Sequence, residues 1–298
     1  MNGKFTEQAL LMGSRQSLVG IVTRPATPAQ TAKPAIVILN TGVVHRVGHH
    51  RMYVTMARAF ASIGHTVLRF DFSGIGDSDR RADQLSPVNA SLADIKEVLD
   101  SLEQGHQVSQ FVLVGLCSGA DYAVLYGHTD PRVVGLVLMD PSLPPTARYY
   151  FHYIAQRLKS LSNWVSVVTG RSGLVRLLMT QFFYGSRASS QTEALTLENL
   201  QFDPYLAQCY KDSVTRGIRM LAAFTSISPR QTYRQQMLDA FPDVQFKDLL
   251  TLEFFPESDH LFSAQRERSK LNQVIMEWFG SALDRGMSAQ VPKRRALN

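Results

Sequence analysis

The sequence contains few cysteines and no long apolar segment. Its 298 residues include only Cys117 and Cys209, which are too few for a disulfide framework and fit a reducing compartment. No stretch of about 18 uncharged apolar residues occurs, so no transmembrane helix is predicted. Residues 1–10 carry Lys4 and Glu7 and lack the apolar core of a signal peptide. We therefore expect a cytoplasmic protein.

The sequence also lacks an internal repeat and any pattern typical of nucleic-acid binding or metal binding. The net charge is +6, but the basic residues form no stripe with interleaved aromatics, so nucleic acid is not an expected partner. The histidines of residues 45–50 have no carboxylate or cysteine nearby in the sequence, so no metal site is predicted, and no cofactor is expected. A mildly basic surface would suit acidic partners such as carrier proteins or coenzyme A. No pattern indicates an oligomeric state.

Most of the chain alternates between apolar runs of strand length and segments with helical spacing, which predicts a doubly wound, mainly parallel α/β sheet. Strands are predicted at residues 5–12, 17–23, 35–39, 65–72, 111–114, 133–139, 218–224 and 249–255. Helices are predicted at residues 51–63, 87–104, 232–241 and 263–283, with another directly after residue 119.

The alternation lapses in an aromatic-rich segment, which divides the predicted domains. Residues 141–215 are expected to form a mostly helical cap over the carboxyl edge of the sheet, where α/β proteins place their sites. Residues 1–140 and 216–285 then form the core. The basic residues 286–298 are expected to be a disordered tail.

A Gly-Leu-Cys-Ser-Gly sequence at residues 115–119 directly follows the apolar run 111–114. An apolar strand that leads into Gly-x-Cys-x-Gly is typical of the nucleophile elbow of α/β-hydrolases, with cysteine in place of serine. The predicted fold is therefore the α/β-hydrolase fold. The same pattern also fits a simple helix-opening turn around a buried thiol.

Sterics distinguish two candidate nucleophiles in this turn. An elbow is strained, so the residues two before and two after the nucleophile must be small. For Cys117 these residues are Gly115 and Gly119, whereas for Ser118 the first would be Leu116. We therefore predict Cys117 as the nucleophile.

The expected chain order in this fold is nucleophile, acid, histidine. His260 lies just after the predicted strand 249–255 and is the predicted base, although a solvated turn would also explain it. No carboxylate directly follows the strand 218–224, the usual place for the acid. Asp140 ends the preceding strand and is the candidate acid, with a turn-capping role before Pro141 as the alternative.

Backbone and side-chain candidates complete the predicted site. The N–H groups of Ser118 and Val43 are the expected oxyanion hole, although residues 40–44 also fit an ordinary glycine turn. Arg46 is a candidate ligand for a substrate carboxylate or phosphate, with a solvated basic loop as the alternative. Tyr149 and Tyr150 are candidates for lining an acyl pocket, and would equally fit the core of the cap.

Several segments together resemble a known group. The chain is similar to the exosortase A system-associated hydrolases and, more loosely, to serine aminopeptidase-type hydrolases, over roughly residues 35–285. The resemblance is carried by residues 40–42, 46–48, 51, 69–78, 115–120 and 148–150. It implies an α/β-hydrolase fold with Cys117 as nucleophile and His260 as base. The chain departs from the pattern at Ser228, where the acid is expected.

A thiol exchanges readily with activated acyl groups, so the expected substrate is a small ester or thioester, including carrier-protein-linked or coenzyme A-linked acyl groups. The expected activity is that of a thioesterase, an esterase or an acyltransferase that forms an acyl-enzyme. The missing acid after residue 224 leaves a second hypothesis open. On that hypothesis the chain is a non-catalytic ligand-binding or scaffold protein with the same fold.

Overall fold

The computed structural model describes residues 5–27, 33–106, 108–146, 148–149, 204–226 and 233–283. Within these ranges eight strands form one sheet in the order β1-β2-β4-β3-β5-β6-β7-β8. Their bounds are β1 (Phe5–Met12), β2 (Leu18–Pro25), β3 (Ala35–Leu39), β4 (Val67–Phe70), β5 (Phe111–Leu116), β6 (Val133–Met139), β7 (Arg219–Thr225) and β8 (Leu250–Phe255). The β1–β2 and β2–β4 pairs are antiparallel, and every other pair is parallel. The predicted mainly parallel sheet is confirmed.

Helices cover both faces of this sheet. They are α1 (Met52–Ser62), α2 (Pro87–His106), α3 (Ser118–Gly127), α4 (Pro204–Thr215), α5 (Gln236–Ala240) and α6 (Gln265–Trp278). Buried residues of α2, α3 and α4 belong to one apolar cluster, and those of α1 and α6 to a second. Because both faces are covered, the central strands β3 and β5 are apolar throughout, and all of their residues are buried.

The order of the strands determines where a site can form. From β3 the chain crosses to β4 on one side, and β5 lies on the other side of β3. Loops after β3 and β5 therefore diverge at the carboxyl edge and leave a crevice between them, the usual ligand position in open α/β sheets.

Helix bounds differ from the sequence predictions near the carboxyl end. From residue 233 onward, the predicted helix 232–241 is present as the short α5, which begins later than predicted, at Gln236. It ends at Ala240, because Phe241 leaves the helical conformation immediately before Pro242. The predicted helix 263–283 is α6 followed by a π-helix, Phe279–Leu283.

The predicted cap is described only at its two ends. Helix α4 lies within the predicted cap, and its Leu206, Cys209 and Tyr210 are buried in the core cluster that α3 shares. Residues 150–203 and the predicted tail lie outside the described residues, so the domain division stays a prediction. Among the described helices, none is both long and apolar enough to cross a lipid bilayer.

Candidate active site

Cys117 occupies a strained turn between a central strand and a helix. It follows β5 directly and is the N-cap of α3, with φ 55° and ψ −121°. Its N–H donates to Met139 O at 2.8 Å, and its carbonyl accepts from the Ala120 and Asp121 N–H groups. A non-glycine residue with positive φ persists only where its surroundings hold it, and such residues cluster at functional sites.

The two flanking glycines explain how this turn fits. A Cβ on Gly115 would lie 2.1 Å from the carbonyl carbon of Gly119, and one on Gly119 would lie 2.6 Å from Asn40 O. Both contacts are with backbone atoms, which cannot rotate away as a flexible side chain could. The helix start therefore lies directly against β5 and against the loop after β3, which requires glycine at both positions.

His260 and Asp140 come together at the same edge of the sheet. His260 lies in the loop after β8, and its Nδ1 lies 2.9 Å from Asp140 Oδ2. Nδ1 is thus occupied by the carboxylate, and the Cys117 side chain is close enough to His260 to raise the pKa of the imidazole. The structure therefore brings the three side chains together, with the imidazole bonded to the carboxylate and near the thiol.

Asp140 is buried, and its carboxylate has three donors. Besides His260, it accepts from the Thr225 N–H at 2.8 Å and from Thr225 Oγ1 at 2.5 Å. Its backbone has a φ of 46°, and its N–H donates to Ala223 O. These bonds link the end of β6 to β7, which holds the carboxylate in one orientation toward the imidazole.

The pKa of His260 is raised to about 10, first by its hydrogen bond to Asp140 and then by its hydrogen bond to Cys117, against an opposing effect of burial. The imidazole therefore holds its proton more firmly than a free histidine does. A protonated imidazole stabilises a neighbouring thiolate, which is the reactive form of cysteine.

The loop that carries His260 is anchored on both sides of the imidazole. Asp259 Oδ1 accepts the Ser263 N–H at 2.8 Å. Phe262, with a φ of 51°, is fully buried, and its ring centroid lies 5.4 Å from that of Phe255. The buried ring and the capping carboxylate fix the loop so that the imidazole remains over the edge of the sheet.

The local backbone bonds leave two N–H groups near the nucleophile unused. That of Ser118 is in the first turn of α3, where an N–H has no acceptor within the helix. Val43 is a central residue of a turn closed by the Val44 N–H and Thr41 O at 3.0 Å, and this turn does not use the Val43 N–H. The N–H of Gly42, which precedes Val43, donates to Ser118 Oγ at 2.7 Å. The role of the Ser118 and Val43 N–H groups as an oxyanion hole stays a prediction.

Comparison with known proteins places the chain in a family. Residues 32–224, well over half of the chain, match the family model described as "Serine aminopeptidase, S33". The chain belongs to the serine aminopeptidase S33 family. No curated protein sequence shows a significant match to the chain.

Solved structures similar to this S33 family member share its architecture at low identity. Esterase Pf2001 of Pyrococcus furiosus is 13% identical with a TM-score of 0.55, covering 93% of this chain and 91% of its own. An α/β serine hydrolase homologue from Coxiella burnetii is 15% identical with a TM-score of 0.55, covering 93% and 97%. XC6422 of Xanthomonas campestris, an α/β serine hydrolase without a lid, is 13% identical with a TM-score of 0.53, covering 94% and 95%. These similarities confirm the predicted α/β-hydrolase fold.

Arg46 of this S33 protein pairs with two carboxylates. Its guanidinium contacts the buried carboxylate of Asp71 through Nη1 and the exposed carboxylate of Asp77 through Nη2 at 2.6 Å, and its N–H donates to Asp71 Oδ1. Arg46 therefore braces the loop after β3 against the loop after β4. Its predicted contact with a substrate anion stays a prediction.

Of the remaining residues that the sequence singled out, the structure describes only Tyr149. Tyr149 is half-buried, and its N–H donates to Thr146 Oγ1 at 3.0 Å. Tyr150 and Ser228 lie outside the described residues of the S33 chain, so the proposed pocket and the departure at residue 228 stay predictions. Within the described ranges, no group of three or more His, Cys, Asp or Glu side chains could hold a metal ion.

Sequence reasoning missed Thr225, Phe262 and Asp259. Thr225 could have been found, because a hydroxyl at the carboxyl end of a strand next to that of Asp140 is placed to donate to the carboxylate. Phe262 and Asp259 act through the conformation of one loop, and no residue pattern in the S33 sequence signals that conformation.

Proposed function

We propose that the protein cleaves carboxylic esters and thioesters through a covalent thioester on Cys117, with His260 as acid and base and Asp140 as the residue that orients His260. The observation that supports this most strongly is the continuous Asp140–His260–Cys117 contact, with Cys117 at a strained turn between two obligatory glycines. Nucleophile, base and orienting group in this order form the arrangement that covalent acyl transfer needs.

The geometry supports a two-step reaction. The Cys117 thiolate attacks the acyl carbonyl carbon, and the tetrahedral oxyanion accepts hydrogen bonds from the Ser118 and Val43 N–H groups. The C–O or C–S bond then breaks, and the leaving alcohol or thiol takes the proton from Nε2 of His260. Neutral His260 next takes a proton from water as that water attacks the acyl-enzyme, and Cys117 leaves as a thiolate. An alcohol or amine in place of water would give acyl transfer.

Asp140 contributes by orientation and charge. Its bond to Nδ1 fixes the tautomer with Nε2 toward Cys117 and stabilises the imidazolium between the two steps. The hypothesis of a non-catalytic scaffold rested on the absence of a carboxylate after β7. The carboxylate that contacts His260 comes from the end of β6 instead, so that observation no longer favours a scaffold.

The experiment that tests this function measures turnover and the acyl adduct together. Purified protein is incubated with p-nitrophenyl esters of increasing acyl length, with acyl-coenzyme A thioesters and with aminoacyl p-nitroanilides, and intact mass is recorded. We expect ester and thioester turnover, slower or no anilide cleavage, and an adduct on Cys117.

Matched variants complete that test. Cys117→Ala and His260→Ala are expected to lose turnover, whereas Cys209→Ala, which removes the buried thiol of α4, is expected to retain it. Absence of turnover and of any Cys117 adduct with every acyl length would overturn the proposal. Preferential anilide cleavage would replace it with peptidase activity.

We also propose that the reaction takes place in the cytoplasm, because the proposed nucleophile, the Cys117 thiol, must remain reduced. Fractionation of cells that express the protein, followed by immunodetection, tests this; recovery outside the cytoplasmic fraction would contradict it.

A further inference from the structure

The loop after β3 is bound to the helix that begins beside Cys117. The N–H of Gly42 donates to Ser118 Oγ at 2.7 Å. Gly42 has a φ of 53°, and a Cβ built there would meet nothing within 4 Å. The space beside this glycine is open, and its N–H is held by the hydrogen bond to Ser118.

A second contact holds the same loop from the other side of Cys117. Thr41 Oγ1 donates to Leu116 O at 3.1 Å and lies 2.5 Å from the hydroxyl of the fully buried Tyr53. Leu116 and Ser118 are the two chain neighbours of Cys117. The loop is thus attached to the residues on both sides of the nucleophile, through the Leu116 carbonyl and the Ser118 side chain.

The two attachments differ in burial. Tyr53 and Thr41 are buried and packed, whereas Gly42 is exposed. Beyond Thr41, the bonds of Val44 to Thr41 O and to Asn40 Nδ2 act within the loop, and the bond from the Gly42 N–H to Ser118 Oγ is the one that ties this turn to α3. Val43 comes next, and its side chain is 87% exposed. Nothing in the packing of that side chain fixes the direction of its N–H.

We propose that Ser118 is a positioning residue whose hydroxyl holds Gly42, and through it directs the Val43 N–H toward the acyl oxygen. This inference rests on the proposed function and adds a role for the serine beside the nucleophile. The hydroxyl takes no part in bond making. It acts on the oxyanion hole, where a displacement of about 1 Å costs about 100-fold in rate, and where loss of one donor costs about 100- to 1,000-fold.

The positioning role predicts that loss of the Ser118 hydroxyl affects two reactions of Cys117 differently, which a merely structural role does not predict. Removal of the hydroxyl should weaken stabilisation of the tetrahedral intermediate while Cys117, His260 and Asp140 stay in place. Alkylation of Cys117 by iodoacetamide is a displacement at carbon that forms no oxyanion. Ester turnover and alkylation should therefore respond differently to Ser118→Ala.

The test compares Ser118→Ala with wild type on the best p-nitrophenyl ester. We expect kcat to fall about 10- to 100-fold with little change in KM. The rate of Cys117 alkylation, and its dependence on pH, should stay the same. Ser118→Thr keeps the hydroxyl and should recover most of kcat. Ser101→Ala is the matched control, because Ser101 Oγ also accepts a glycine N–H, that of Gly13 at 3.2 Å, away from the site; its kcat should equal wild type.

The outcomes separate this inference from the proposed function. Full turnover by Ser118→Ala, or parallel loss of turnover and alkylation, would overturn the positioning role while Cys117 chemistry stands. Full turnover by Cys117→Ala would instead overturn the proposed function.

Discussion

The carboxylate of Asp140 receives two hydrogen bonds from Thr225, one from the backbone N–H and one from Oγ1. Asp140 ends β6 and Thr225 ends β7, so the neighbouring strand supplies the donors that keep a buried carboxylate pointed at His260. A buried carboxylate is costly unless its oxygens are hydrogen-bonded, and these bonds explain why it can remain in the core as an orienting group.

Thr225→Val removes one of these donors without changing the shape of the side chain. We expect unfolding free energy to fall by about 1.5–3 kcal/mol, the range for hydrogen bonds to charged groups, and kcat to fall as well. Thr23→Val is the control, because Thr23 Oγ1 donates to Glu7 at the longer distance of 3.3 Å, far from the site. Urea unfolding and ester kinetics measure both; equal effects of the two variants would contradict the special role of Thr225.

The raised pKa of His260 predicts how stability depends on pH. The folded state binds this proton more tightly than the unfolded state, so the stabilisation is complete below the ordinary histidine pKa of about 6.5. It is lost as the pH rises toward about 10, the pKa of His260 in the folded protein. Asp140→Asn removes the main cause of the shift. The difference in unfolding free energy between wild type and Asp140→Asn should therefore shrink between these pH values.

Urea unfolding at several pH values measures this difference, and imidazole NMR should show the pKa of His260 falling in the variant. Asp212→Asn changes a surface carboxylate of α4 that is bonded only to Gln208 among the described side chains, and should show no such trend. A pH-independent difference for Asp140→Asn would rule out the linkage.

Close packing at the elbow predicts opposite effects on stability when two helical glycines are replaced by alanine. Gly119→Ala places a methyl group 2.6 Å from Asn40 O, and we expect a loss of about 3 kcal/mol or more, because backbone atoms must move to admit it. Gly105→Ala in α2 meets nothing within 4 Å and should stabilise by about 0.5–1 kcal/mol. Thermal unfolding measures both; a mild effect at Gly119 would mean that α3 does not lie this close to the loop after β3.

Substitution of Arg46 distinguishes a role in bracing the two loops from a role in binding the substrate. Arg46→Met leaves the buried Asp71 carboxylate without its cation, so we expect a loss of about 3 kcal/mol with KM unchanged. Arg51→Met, at an exposed position on the same loop, should change stability by less than about 0.5 kcal/mol. A raised KM with normal stability in Arg46→Met would support the substrate-binding role.

Local patterns in the sequence predicted the parts of the fold and site that depend on neighbouring residues. The apolar runs 35–39 and 133–139 coincide with β3 and β6, and the glycines around Cys117 predicted the strained turn. Contacts between residues far apart in the sequence could not be predicted from such local patterns. Asp71 lies far along the chain from Arg46, so the basic loop looked free of partners. The sequence allowed Asp140 either to serve as the acid or to cap a turn, and its contacts depend on β6 and β7 being neighbours in the sheet.

The position of Cys117 has a practical consequence for anyone handling this protein. The thiol depends on the ends of β5 and β6, the loop after β3 and the loop after β8, which meet only when the whole sheet is assembled. The rate of covalent labelling at Cys117 therefore reports on the integrity of these elements together. In purified Cys209→Ala protein, where Cys117 is the remaining thiol, a fluorescent thiol reagent could follow assembly and loss of structure without any substrate.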